Sequence, residues 1–261
     1  MILKKMDKQI AAYLFTAFLL PLLCASLIGS IPFFGSGYLQ MIIYGLEAAA
    51  PALAAVFTVY IFEKKSGLRN FLIRKYTAPL RIGIVFLALI LPFMILFLSS
   101  LLSGLRNHNA FRINRLSFMN MIVFIWALVA EELGWRGFLQ ERLDQHIRWF
   151  AVPVLTGFVW AAWHYHFFMN GTSNIPIPLF VLGCILESYI YYPLVRLSKG
   201  NVIPASVYHF SGNLFINLFF IYPKYNNGSL FPYSMYLVLS FVTAILLNYF
   251  FIIKKSKTGS Q

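Results

Sequence analysis

Two adjacent glutamates inside an apolar stretch, Ala130-Glu131-Glu132-Leu133-Gly134-Trp135-Arg136, are the residues of this chain best placed to do chemistry. A carboxylate in hydrocarbon is costly unless it is paired, protonated or turned toward a wet cavity, so two side by side mark a place of use. On a helix Glu132 and Arg136 are four apart and share a face, where they can form an embedded ion pair. Glu131 is turned about 100° from Glu132 and about 140° from Arg136 at 3.6 residues per turn. The arginine therefore holds one glutamate and leaves the other free. Gly134 and Gly137 remove side-chain bulk where another backbone approaches.

Two further pairs have the same spacing. Trp160 and His164 face one way, whereas His166 points about 200° from His164, so only one of these histidines reaches the glutamates. His209 and Asn213 are stacked one turn apart, with Ser211 and Gly212 thinning the helix between them. Together they supply a carboxylate, an imidazole, and a second imidazole with an amide. Peptide hydrolysis needs a base to take a proton from water and donors about 2.7–3.1 Å from the developing oxyanion, which this inventory provides. It would equally ligate zinc through Glu131, His164 and His209, with a bound water of pKa near about 7. No His-Glu-x-x-His motif is present, so a zinc site would be assembled from three separate helices, and the reading leans against tightly bound zinc.

The elements that must position these residues are membrane helices. Hydrophobic residues make up 60% of the chain and charged residues 11%, with 27 Phe and 15 Tyr beside 8 acidic residues. A soluble domain needs about twice that charged fraction. Apolar stretches long enough to cross about 30 Å of hydrocarbon fall at about 10–33, 38–62, 82–103, 116–135, 151–169, 176–195, 202–222 and 232–253. The expectation is an all-α, polytopic integral membrane protein of about eight transmembrane helices, with the site among helices four, five and seven. Residues 1–261 read as one membrane-embedded domain and 116–222 as its catalytic core.

Seventeen of the 21 Lys and Arg residues, Arg136 among them, fall in the cytoplasmic loops when the N-terminus is placed inside. Because Lys and Arg accumulate on the cytoplasmic side, both termini are expected in the cytoplasm, in a bacterial plasma membrane. The net charge of +13 is thus a topology signal, with attraction of Lys64–Arg81 to anionic lipid as a secondary effect. Nucleic-acid binding is not expected, since the basic residues are dispersed and no soluble module holds them. Cys24 and Cys184 read as small apolar core residues. Glu47 and Glu187 also lie inside spans, and their roles, like that of His166, are left open.

In chain order, Glu131-Glu132-x-x-x-Arg136, Trp160-x-x-x-His164 and His209-x-x-x-Asn213 resemble the three signatures of the CPBP family, the CAAX protease and bacteriocin-processing (Abi) intramembrane proteases. The second signature is commonly Phe-x-x-x-His, and Trp160 departs from it conservatively. The resemblance spans about Val129 to Asn213 and leaves the first three helices unmatched. It implies that Glu131 and His164 activate the attacking water, that His209 and Asn213 form the oxyanion site, and that Glu132, Arg136 and Trp160 support them. The family is customarily called metalloprotease, while the structural view of its CAAX-processing branch favours a glutamate protease without metal; the sequence leaves both open.

The resulting expectation is an intramembrane endopeptidase acting on a membrane-associated peptide or protein, prenylated or of leader type. A proton-coupled transporter would use buried Glu and His as a relay, but such folds usually contain repeated halves, and no internal repeat is found. A non-catalytic regulator or immunity protein is the third class, marked by a phenotype insensitive to catalytic-residue changes. Pure scaffolding gains about 1 kcal/mol or less per buried polar contact, too little to account for a carboxylate pair with three further polar residues.

Overall fold

In the computed structural model, which describes residues 2–30, 37–106, 113–165, 168 and 174–257, all regular structure is helical. The helices are α1 (Ile2–Ser30), α2 (Gly37–Ala48), α3 (Ala50–Thr77), α4 (Ile82–Arg106), α5 (Phe118–Ala130), α6 (Gln140–Asp144), α7 (Ala151–Trp163), α8 (Ile177–Leu197), α9 (Ile203–Leu218) and α10 (Phe231–Lys257). A π-helical segment, Leu133–Leu139, connects α5 to α6, and a 3-10 turn, Pro223–Tyr225, follows α9.

Among the described residues, five helical stretches are long and apolar enough to cross a bilayer: Lys8–Ile28, Ile82–Arg106, Phe118–Asp144, Ile177–Leu197 and Phe231–Ile252. A sixth is counted if α2 and α3, bent by 57°, form one broken span. Eight spans are expected from hydropathy. The difference lies in α7 and α9, of 13 and 16 residues, which reach only about 20 and 24 Å against about 30 Å of hydrocarbon. These two short helices present His164 and His209. The far end of the stretch 151–169, with His166, lies outside the described residues. Phe15, Ile82 and Phe118 are 68%, 68% and 76% exposed, a distribution of large apolar side chains suited to lipid and not to water.

The fourth expected span ends at residue 135, but the helix continues to Asp144. Arg136, counted with the cytoplasmic loops, is fully buried. Its charge is met by Glu132, so the chain can remain embedded past it. The start of this span is set by a reciprocal cap, in which Ser117 Oγ accepts from the Asn120 N–H and Asn120 Oδ1 accepts from the Ser117 N–H.

Close helix contacts use glycine. A Cβ on Gly134 would lie 2.3 Å from the Pro51 carbonyl oxygen, so the π segment meets the α3 backbone directly. A Cβ on Gly157 would lie 2.6 Å from Ile185 Cα, so α7 meets α8 in the same way. Gly137 faces side chains instead, with Val202 Cγ1 at 3.2 Å. α9 lies against α4 and α5, and α8 against α7 and α10, so α9 and the end of α5 share a wall. Tyr13 of α1 braces that wall, with ring centroids 5.9 Å from Trp135 and 4.8 Å from Phe138.

At one end of the bundle, basic residues of the helix ends are paired across elements. Lys75 Nζ lies 2.6 Å from Glu141, Arg142 Nη2 lies 2.7 Å from Glu63, and Arg196 Nη1 lies 2.7 Å from Asp144. Cys24 and Cys184 are buried free thiols.

Candidate active site

The π-helical turn is where the acidic motif departs from regular helix. α5 ends at Glu131, with φ −118° and ψ −42°, and its carbonyl accepts from both Gly134 and Trp135 N–H. Insertions of this kind recur at functional sites because they re-aim side chains without breaking the helix.

Glu132 is fully buried and serves two partners through one oxygen. Oε1 accepts from Arg136 Nη1 at 3.1 Å and lies 2.8 Å from His209 Nδ1. The pairing of Glu132 with Arg136 is therefore as expected, while its hold on His209 is an addition. Arg136 is sandwiched between aromatic faces, 4.4 Å from the Trp160 ring and 3.8 Å from the Tyr191 ring, and reaches Ser188 Oγ at 3.4 Å.

Arg136 takes Glu132, as the helical wheel indicates, while one Glu131 oxygen is held by donors the wheel does not show. Glu131 Oε2 accepts from Trp135 Nε1 at 3.2 Å and from Trp160 Nε1 at 3.0 Å. A carboxylate withdrawn from water must find donors, and an indole N–H can only donate. Glu131 Oε1 faces His209 Nε2 at 3.9 Å. Trp160 thus does more than a phenylalanine could.

His164 lies at the C-cap of α7, with Nδ1 2.8 Å from the Trp160 carbonyl oxygen. A carbonyl only accepts, so Nδ1 holds the hydrogen and Nε2 the lone pair of the neutral ring. His164 interacts electrostatically with both Glu131 and His209. Trp163 and Phe180 flank its ring, at centroid distances of 5.0 and 5.3 Å.

Glu131, Trp160, His164, His209 and Asn213 all line one cavity of about 360 Å³. The three motifs therefore meet in space. Sequence reasoning missed Trp135, although it follows Glu131 at the same four-residue spacing that singles out Arg136 after Glu132. It also left open Glu187, which lines the cavity and accepts from Tyr236 Oη at 2.9 Å. Glu47 is buried on α2 and is not among the lining residues.

The donor set does not form a zinc site. Among the described residues no group of three His, Cys, Asp or Glu side chains is arranged to hold a metal. In the set Glu131, His164 and His209, one Glu131 oxygen is taken by two indoles and His209 Nδ1 by Glu132.

Residues 113–215 match the family described as type II CAAX prenyl endopeptidase Rce1-like. The match agrees with the resemblance of the three motifs to the CPBP family. The CAAX prenyl protease 2 of Methanococcus maripaludis is 28% identical over 104 residues, covering 36% of this chain and 38% of the relative. The chain thus aligns with well under half the length of that relative. Every motif residue, from Glu131 to Asn213, lies inside the matched segment, whereas α1 to α4 lie outside it. Elements outside the matched segment nevertheless brace it, through Tyr13 of α1 and Pro51 of α3.

Proposed function

We propose that the chain is a CAAX-type intramembrane endopeptidase that hydrolyses a peptide bond with a water activated by Glu131. The observation that carries this is the 3.9 Å gap between Glu131 Oε1 and His209 Nε2 on the wall of the cavity. A water making two hydrogen bonds of about 2.8 Å bridges such a gap.

Glu131 Oε1 takes a proton from this water, with His164 as the second activating group, and the nascent hydroxide attacks the carbonyl carbon. The carbonyl π electrons move to oxygen, where His209 and Asn213 stabilise the charge. The C–N bond then breaks as the proton held by Glu131 passes to the leaving nitrogen. His209 donates Nδ1–H to Glu132, so its Nε2 can give a hydrogen bond to the oxyanion only in the imidazolium form. Trp135 and Trp160 orient Glu131 and keep its second oxygen out of the reaction.

A lipid-modified C-terminal peptide is the first substrate class to test, since the relative from M. maripaludis is named a CAAX prenyl protease. We place the ionic end of the bundle and both termini in the cytoplasm, on the distribution of Lys and Arg.

The test is cleavage of a quenched-fluorescent prenylated CAAX peptide by the purified chain in nanodiscs. Glu131→Gln preserves shape and removes the base, and kcat is expected to fall by about 10²–10⁴-fold. Full activity in this variant would refute the assignment.

A further inference from the structure

A second cavity, also of about 360 Å³, lies among the ends of α3, α6 and α8. Its wall holds five cationic side chains, Arg74, Lys75, Arg136, Arg196 and Lys199, against two carboxylates, Glu141 and Asp144. Both carboxylates are already engaged. Glu141 pairs with Arg74 and Lys75, and Asp144 pairs with Arg196. The wall is left with an excess of positive charge.

Two of those cations are out of solvent, Lys75 at 2% and Arg136 at 0% exposure. Arg136 Nε, moreover, has no hydrogen-bond partner among the described residues. A buried guanidinium donor without an acceptor is a defect that native interiors rarely keep, so the cavity calls for an anion. α6 and α8 end here, at Asp144 and Leu197, which close two of the stretches long and apolar enough to span a bilayer, so the cavity sits at the span ends, where lipid headgroups are expected.

We propose that this cavity binds a phosphate group, borne by an anionic phospholipid headgroup or as the free ion, through Lys75, Lys199 and Arg196, beside the buried Arg136. Lysine and arginine together match phosphate as point charge and planar donor. Arg136 is common to both cavities' chemistry, because it also holds Glu132, which holds His209. An anion in the cavity balances the cations beside this arginine and so steadies the pair on which His209 rests.

Binding can be read without any peptide, so its failure is separate from failure of the proteolytic assignment. Thermal unfolding of the full chain is followed while inorganic phosphate replaces chloride at constant ionic strength. The same measurement is made in phosphatidylcholine nanodiscs with and without phosphatidylglycerol. Lys199 is exposed, so Lys199→Glu alters the cavity's charge without disturbing the core. Lys65→Glu, an equal charge change at an exposed position outside the cavity, is the control.

A saturable rise in Tm is expected with at least one probe, with half-saturation at least about tenfold weaker in K199E and within about twofold of the parent in K65E. A rise with phosphate alone identifies the free ion as ligand, and a rise with phosphatidylglycerol alone identifies the headgroup. No saturable rise with either probe, or equal weakening in K199E and K65E, overturns the proposal.

Discussion

Glu132 Oε1 lies 2.8 Å from His209 Nδ1 and ties the end of α5 to the middle of α9 across 77 positions of sequence. The contact decides which ring nitrogen faces the cavity, because the nitrogen bound to Glu132 is no longer available to it. It also makes Glu132 the shared partner of Arg136 and His209, both buried.

Removing Glu132 should therefore damage stability as well as activity. Glu132→Ala leaves the Arg136 guanidinium buried without its carboxylate, a loss of about 3–5 kcal/mol. Chemical unfolding of this variant should show that loss, while Glu131→Gln should lie within about 1 kcal/mol of the parent because an amide oxygen can still accept from the indoles. Equal stabilities of the two variants would contradict the division of labour between the glutamates.

Trp160→Phe keeps an aromatic ring beside Arg136 and deletes the 3.0 Å bond to Glu131. A hydrogen bond to a charged group contributes about 1.5–3 kcal/mol, so kcat should fall by about tenfold or more with little change in KM. Trp135→Phe should have a similar, smaller effect, and the double variant should be worse than either. An unchanged kcat in the double variant would show that the indoles do not position Glu131.

Two glycines should respond in opposite ways. A Cβ on Gly212 meets nothing within 4 Å and this residue lines the cavity, so Gly212→Leu should block peptide binding, raising KM by about tenfold, with no fall in Tm. A Cβ on Gly134 would overlap the Pro51 carbonyl, so Gly134→Ala should cost about 1–3 kcal/mol or more in stability. Destabilisation by the first change, or none by the second, would place the two helix faces wrongly.

Because Glu131, His164 and His209 are not arranged as a three-ligand set among the described residues, protein treated with chelator and freed of metal should still cleave the peptide. Activity lost on depletion and restored by zinc would require these side chains to rearrange into a ligand set.

The pairs Glu132 with Arg136, Trp160 with His164 and His209 with Asn213 were legible because four-residue spacing is a property of a single helix. The three short motifs were enough to nominate seven residues that the structure gathers around one site. Less was legible about what each side chain does once there. Glu131 is free of the arginine as expected, but the helical wheel does not show its two indole donors, which come one from its own helix and one from α7. Arg136 was counted with a cytoplasmic loop, since hydropathy treats its charge as exposed, whereas Glu132 neutralises it inside the bundle. The count of eight spans is not reached among the described residues for a related reason, as hydropathy measures apolarity and not the length of helix described at α7 and α9.

Composition and periodicity by themselves determined that this chain is helical and membrane-embedded, and which polar residues stand out of place in hydrocarbon. Such properties are local, set by each residue's transfer energy and by the pitch of one helix. Only the tertiary structure decided that Glu132 holds His209, that two tryptophans hold Glu131, and that Arg136 borders a second, cationic cavity. Those relations join helices far apart in the chain, and their distances are fixed by close contact at Gly134 and Gly157, which no single helix encodes.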